Sequence, residues 1–253
     1  MSIEHLINLS IVSSVCWSVF CRARRMDANT PRRLKVQHGL VLVLVFNALK
    51  RLHTREVFLP PALALAIVIE LLEALQIAHT AGVVHGALTP GNIVIADAGY
   101  AVITDFGALE ALRASPALRA MFSNQGRSSY RAPELKGTTA ATESSDLYSM
   151  GAICYELLTL HEASTGGAAV STRQEKLPPP SRLARRLNSR IDGAVMRALE
   201  ASPARRFKSC SEFAEALRDA AAANGGFSVG SGDGHGPVHH FHALWSTGQA
   251  PKA

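Results

Sequence analysis

Two polar side chains at the ends of a short hairpin are the first candidates for chemistry in this chain. Asn92 is followed thirteen residues later by Asp105, the first residue of an Asp-Phe-Gly triplet. The apolar stretches 92–95 and 101–104, joined by a turn that contains Asp and Gly, predict two strands of a β-hairpin. This hairpin would place the Asn92 amide and the Asp105 carboxylate close together in space.

Further motifs accompany this pair in a fixed order. His85 begins the run His-Gly-Ala-Leu-Thr-Pro-Gly-Asn, and Glu134 ends an Ala-Pro-Glu triplet 27 residues after the glycine of Asp-Phe-Gly. Asp146 follows Glu134 by twelve residues, and Arg206 lies in the run Pro-Ala-Arg-Arg-Phe. Over residues 59–220 the series resembles the C-terminal lobe of a bacterial-type serine/threonine protein kinase, whose catalytic loop reads H-R-D-L-x-x-x-N. One Asp-Phe-Gly is common by chance, whereas the ordered series is not.

The catalytic loop departs from the family where the chemistry would occur. Gly86 stands at the position of the family's Arg, Ala87 at that of its catalytic Asp, and Thr89 at that of its Lys. Ala87 has no group that could accept the proton of a substrate hydroxyl, a role worth about 10² to 10⁴ in rate. Arg127 occupies the place of a family Thr. The resemblance therefore implies a kinase frame with no intact catalytic residue.

The resemblance also implies a role for the hairpin pair. In the family, the residues at Asp105 and Asn92 hold the metal ions that bridge the nucleotide phosphates. ATP and Mg²⁺ would then bind here, weakly or not at all, with Asn92 and Asp105 as cofactor and metal ligands. The alternative is that the two residues persist because they hold the loop geometry together. For His85, we expect a packed histidine that supports the loop and not a catalytic one.

Three more residues are expected to be structural. Glu134 and Arg206 would form a buried ion pair that pins the activation segment to the lobe, as the family's corresponding residues do. Asp146 would hydrogen-bond the backbone of the catalytic loop. Retention of these residues argues for the fold and not for activity.

The predicted fold class is α+β, a kinase-like fold dominated by the helical C-lobe. No G-x-G-x-x-G and no V-A-I-K-like lysine precede the catalytic loop, so the N-lobe is expected to be largely missing. We divide the chain into an N-terminal segment with at most a remnant of that lobe (1–58), the kinase-like C-lobe (59–220) and a Gly/His-rich tail (221–253). The composition of the tail predicts disorder.

Hydrophobic periodicity predicts the main elements of the lobe. A strand at 41–46 would form an exposed sheet edge, which favours self-association. A proline-initiated helix at 62–79 is interrupted by glutamates and is expected to be a core helix and not a membrane span. Further helices are predicted at 145–160 and 191–199, and a capping box formed by Ser209 and Glu212 starts another.

Composition narrows the partners and the compartment. The chain carries a net charge of +6, and its first 60 residues hold nine Lys or Arg against three acidic residues. No basic face within a nucleic-acid-binding module accompanies this charge, so no nucleic-acid partner is expected. The spacing of the four cysteines matches neither a disulfide framework nor a zinc site, which favours the cytoplasm. The alternative is membrane association through the apolar run 6–21, which is shorter than the ~20 residues of a membrane span.

Two functions remain open from the sequence. The first is a catalytically inactive pseudokinase that binds or scaffolds protein partners whose identity the sequence does not reveal. The second is a serine/threonine protein kinase whose N-lobe is truncated or mis-started, although this would leave Ala87 and Thr89 unexplained. We expect residues 1–30 to be poorly packed and the protein to self-associate.

Overall fold

The computed structural model describes residues 34–35, 41–44, 59–96, 101–107, 128–135, 140–163, 177–184 and 186–223. Within these ranges the chain is mostly helical with one small sheet, as predicted. The strands are β1 (Leu34–Lys35), β2 (Val41–Leu44), β3 (Ile93–Ala96) and β4 (Ala101–Ile103). The helices are α1 (Pro61–Thr80), α2 (Glu143–Thr159), α3 (Pro180–Leu183), α4 (Ser189–Ala198) and α5 (Cys210–Ala222). The expectations for residues 1–30, for Arg127 and for the tail after residue 223 lie outside the described residues.

Helix α1 is the core helix that the sequence predicted. Pro61 occupies its first turn, where the missing N–H costs no hydrogen bond. Gly82 follows its end with φ of 75°, and its N–H donates to the carbonyl of His79 at 2.9 Å. The helix is long and apolar enough to cross a membrane. Most of its residues are buried inside the protein, however, and this burial accounts for its apolar character.

Helix α2 forms the centre of the lobe, and nearly all of its residues are buried. A reciprocal capping box between Thr142 and Ser145 starts it, because each side chain accepts the other residue's backbone N–H. Gly151 permits the close approach of α4, since a Cβ there would lie 2.8 Å from the Cβ of Ala198. The sequence thus places a glycine where two helices touch.

The sheet has the order β1-β2-β3-β4, and every neighbouring pair is antiparallel. The β3–β4 hairpin lies within one residue of its predicted position, with Val94 opposite Val102. The prediction that the strand at 41–46 is an exposed edge is wrong for residues 41 and 42, which pair with β1. Strand β2 pairs with β1 on one side and with β3 on the other. The pairing of Val41 and Leu42 with β1 weakens the argument for self-association through this strand.

Helix α5 starts with half of the predicted capping box. The Ser209 hydroxyl accepts the N–H of Glu212 at 3.1 Å, as predicted. The Glu212 carboxylate does not return to Ser209, because it accepts the N–H of Lys208 at 2.7 Å and pairs with Arg197. The Glu212 carboxylate therefore binds the backbone of the turn before the helix and not that of Ser209.

Glu134 and Arg206 form the predicted ion pair. The two guanidinium nitrogens Nη1 and Nη2 of Arg206 donate to the two carboxylate oxygens of Glu134 at 2.6 and 2.7 Å. The Arg206 side chain is fully buried, whereas that of Glu134 is 23% exposed. Arg206 also donates to the carbonyls of Ser144 and Glu200, each at 2.8 Å. Burial raises the pKa of Glu134, but hydrogen bonding to Arg206, a backbone hydrogen bond and the positive charge of Arg206 together outweigh it and leave the pKa below its ordinary value.

We predict that Arg206→Ala lowers the free energy of unfolding by about 3 to 5 kcal/mol, because several carbonyls and one carboxylate lose their donor. The matched control is Arg218→Ala, which breaks a pair with Glu73 whose side chains are 43% and 58% exposed. That control should cost no more than about 1 kcal/mol. Urea denaturation measures both values, and equal losses would contradict a structural role for the buried pair.

Glu70 is a half-buried carboxylate where α1 meets the sheet. Its Oε2 accepts the N–H of Ala101, the first residue of β4, at 3.2 Å. Burial raises its pKa from 4.5 to about 7, the hydrogen bond from Ala101 opposes this, and the charge of Glu73 adds to it. The folded protein therefore binds this proton more tightly than the unfolded chain does. Its contribution to stability is full below pH 4.5 and is lost as the pH rises through about 7.

We predict that Glu70→Gln raises the free energy of unfolding at pH 8 by about 1 to 3 kcal/mol and changes it much less at pH 5. The glutamine can still accept from Ala101 but carries no charge to desolvate. Urea denaturation at the two pH values tests this, with the exposed Glu73→Gln as control. A gain of the same size at both pH values would show that the buried charge is not its cause.

Candidate functional site

The buried carboxylate of Asp146 anchors the backbone of the catalytic loop. Its Oδ2 accepts the backbone N–H of His85 and its Oδ1 that of Gly86, both at 2.8 Å. The side chain is fully buried, and His79 from the end of α1 lies against the same Oδ2, with its Nε2 at 3.0 Å. The loop is thus attached to α2 and to α1 through one side chain.

His79 is a part of this site that the sequence did not predict. A carboxylate can only accept, so its contact with Asp146 places a proton on Nε2. The Nδ1 of the same ring lies 3.6 Å from the thiol sulfur of Cys210, at the start of α5. The only signal in the sequence is a polar residue in the last turn of an apolar helix, which is also common at exposed helix ends.

Gly86 fits a backbone conformation that other residues adopt at a cost. Its φ is 74°, in the left-handed region where a Cβ meets the following carbonyl. The sequence identified Gly86 only as a departure from the family's Arg. The structure adds that this glycine lets both loop N–H groups reach Asp146 without that cost.

His85 links the loop to the Asp-Phe-Gly segment. Its Nε2 lies 2.9 Å from the carbonyl oxygen of Thr104, which can only accept, so Nε2 carries the proton. Its Nδ1 then accepts the N–H of Ala87 at 3.3 Å. Burial lowers the pKa of His85, although the charges of Asp146 and Asp105 oppose this. The ring also packs on Phe106 with centroids 4.9 Å apart, so His85 lies as a neutral bridge between two segments.

Asn92 and Asp105 meet at the base of the hairpin. The Asn92 Nδ2 donates to the Asp105 Oδ2 at 3.0 Å, and the Thr104 hydroxyl lies 3.2 Å from the same oxygen. The Asn92 Oδ1 accepts the hydroxyl proton of Thr89 at 2.8 Å. Asp105 has φ of 66°, which asparagine and aspartate tolerate better than other non-glycine residues. These contacts hold both side chains in place.

The positions that would carry catalysis contain no ionisable group. Ala87 offers a methyl group, and the Thr89 hydroxyl is used inside the loop, where it also accepts the N–H of Gly91 at 3.2 Å. Within the part of the chain that the structure describes, no cluster of three or more His, Cys, Asp or Glu side chains could hold a metal ion. The site therefore consists of one amide and one carboxylate on a fixed loop.

The structure places the predicted site residues in two groups. His85, Asn92, Asp105 and Asp146 lie together around the loop. The Glu134 and Arg206 pair connects a different part of the lobe, where Arg206 donates to the carbonyl of Ser144 in the first turn of α2. Arg206 also donates to the carbonyls of Glu200 and Ala201, so the pair supports the part of the lobe around the start of α2.

The sequence profile of the protein kinase domain matches residues 34–210. The chain therefore belongs to the protein kinase domain family. It is 37% identical to the serine/threonine-protein kinase PknA of Mycobacterium tuberculosis (strain H37Rv) over 146 residues. These residues make up 57% of this chain and 33% of the relative. A probable serine/threonine-protein kinase of Clostridium perfringens is 30% identical over 158 residues, 61% of this chain and 23% of the relative.

PknB of Mycobacterium leprae is also similar, with 29% identity over 159 residues, 61% of this chain and 25% of the relative. The chain thus spans about a quarter to a third of the length of these relatives. Its kinship to bacterial serine/threonine kinases agrees with the resemblance that the sequence motifs carry.

We predict that Gly86→Ala lowers the free energy of unfolding by about 1 kcal/mol, because alanine pays for the positive φ. The matched control is Gly193→Ala in α4, at an exposed helical position where a Cβ would meet nothing within 4 Å. That change should stabilise by up to about 1 kcal/mol. Urea denaturation gives both signs, and stabilisation by Gly86→Ala would contradict the left-handed conformation of the loop.

Proposed function

We propose that this chain is a pseudokinase, a kinase-family domain that transfers no phosphate and acts by binding protein partners. One observation carries the proposal. The loop is held by two backbone hydrogen bonds to Asp146, yet position 87 has no group that could take a proton from a substrate hydroxyl. The frame is maintained and the catalytic base is absent.

Among the residues that the structure describes, neither His85 nor Asp105 is suited to replace the missing base. His85 is the nearest titratable side chain in sequence, but it is 2% exposed and both of its ring nitrogens have partners within the loop and Thr104. Its pKa is lowered, and a general base must also reach the substrate hydroxyl directly or through one water. Asp105 accepts a hydrogen bond from Asn92 through its Oδ2, and the Thr104 hydroxyl lies 3.2 Å from the same oxygen. The geometry therefore favours loss of phosphotransfer.

The cofactor of the family is compatible with the residues that remain. Protein kinases use ATP with Mg²⁺, held by an Asp and an Asn at these two positions. Asn92 and Asp105 are of the right type, since Mg²⁺ prefers oxygen ligands, and they would hold the ion and through it the phosphates. Thr89 supplies no positive charge to the phosphates, so we propose that nucleotide binds weakly if it binds.

A partner-binding role is supported by the segment around the Ala-Pro-Glu triplet. The hydroxyl of Tyr130 donates to the buried carboxylate of Glu156 in α2, and Ser129 donates to Glu162 at 2.5 Å. Glu134, four residues after Tyr130, is held by Arg206. These contacts order the segment without a phosphate group, so it can present one fixed surface to a protein.

We predict that the chain transfers no radiolabelled phosphate from ATP to generic protein substrates with Mg²⁺ or Mn²⁺. Ala87→Asp alone should not restore transfer, because the sequence also lacks the lysine of the loop and the glycine-rich loop that position the phosphates. An active bacterial serine/threonine kinase, assayed in parallel, shows that the assay works.

Asp105→Asn is the control variant, since asparagine also tolerates a positive φ. Transfer by the unmodified chain that disappears in Asp105→Asn would overturn the proposal. It would instead support the second possibility from the sequence, an active serine/threonine kinase.

A further inference from the structure

Thr89 determines which atom of the Asn92 amide faces Asp105. The Thr89 hydroxyl accepts the N–H of Gly91 at 3.2 Å and donates to the Oδ1 of Asn92 at 2.8 Å. The Nδ2 of Asn92 then donates to Asp105 at 3.0 Å. Each group in this chain of hydrogen bonds donates to the next, and the chain ends on a carboxylate.

The direction of the chain follows from the chemistry of its end. The ionised Asp105 can only accept, so it requires the NH₂ group of Asn92 and repels the carbonyl oxygen. The Oδ1 must then find a donor elsewhere, and Thr89 provides it. A lysine at this position, as in the family, would be a flexible cation and not a short fixed hydroxyl.

This orientation is unfavourable for a cation. A divalent ion next to Asp105 would meet the NH₂ group of Asn92, which is a donor and not a ligand. The amide would have to turn over to offer Oδ1, and the turn breaks the hydrogen bonds to both Thr89 and Asp105. Only the bond to Thr89 depends on residue 89.

We infer that Thr89 is a positioning residue that turns the carbonyl oxygen of Asn92 away from Asp105 and so weakens divalent cation binding at this pair. The inference deepens the proposed function and rests on it. It explains how Asn92 and Asp105, which remain in a non-catalytic site, are kept from binding a metal ion. It concerns the ion alone and makes no use of the missing base at position 87.

Titration of Mn²⁺ into the full 253-residue chain, followed by the electron paramagnetic resonance signal of the free ion, tests the inference. Thr89→Val keeps the branched shape but removes the hydroxyl, so Mn²⁺ should bind about five- to tenfold more tightly than to the unmodified chain. Thr89→Ser keeps the hydroxyl and should stay within about twofold of the unmodified chain. Adding Asp105→Asn to Thr89→Val should abolish the gain.

Thr89→Val also removes the acceptor for Gly91, so circular dichroism melting checks that the variant folds, and Thr89→Ala serves as a second hydroxyl-free variant. Equal Mn²⁺ affinity in all variants would overturn the inference, as would tighter binding by the unmodified chain or no binding even without the hydroxyl. Each of these results, combined with no phosphate transfer by the unmodified chain, would leave the proposed function standing. Transfer by the unmodified chain would remove the proposed function whatever the Mn²⁺ titration gives.

Discussion

The carboxylate of Asp146 is the interaction on which the site depends. It is fully buried, and a buried charge is tolerated only when hydrogen bonds replace the water that it has lost. Two loop N–H groups and the ring of His79 do so. Each of these three donors would in turn be left without its partner if Asp146 were lost, so the loop, α1 and α2 are coupled through one side chain.

This coupling explains how the loop can keep its shape with an alanine at position 87. The hydrogen bonds that shape the loop use backbone N–H groups of residues 85 and 86 and do not involve the side chain at position 87. Replacement of the base by Ala87 therefore removes no contact that holds the frame. The same separation applies to Arg206, whose hydrogen bonds go to Glu134 and to the carbonyls of Ser144, Glu200 and Ala201 and not to the side chain at position 87.

The polar residues at the base of the hairpin contact one another and two threonine hydroxyl groups. In an active kinase an amide and a carboxylate at these positions serve the metal ions. Here Asn92 donates to the Oδ2 of Asp105, and the hydroxyl groups of Thr89 and Thr104 lie against the Asn92 Oδ1 and the same Asp105 oxygen.

The sequence by itself determined the family frame, the β3–β4 hairpin, the main helices and the pairing of Glu134 with Arg206. Periodicity, turn residues and proline act over a few neighbouring positions, and the ion pair followed from the ordered motifs. The tertiary structure alone decided that β2 is paired on both sides, that Gly86 has a positive φ, and that His79 reaches Asp146. It also decided which way the Asn92 amide points. The physical reason is that each of these depends on contacts or backbone angles set by distant segments, and such contacts leave no periodic trace in the local sequence.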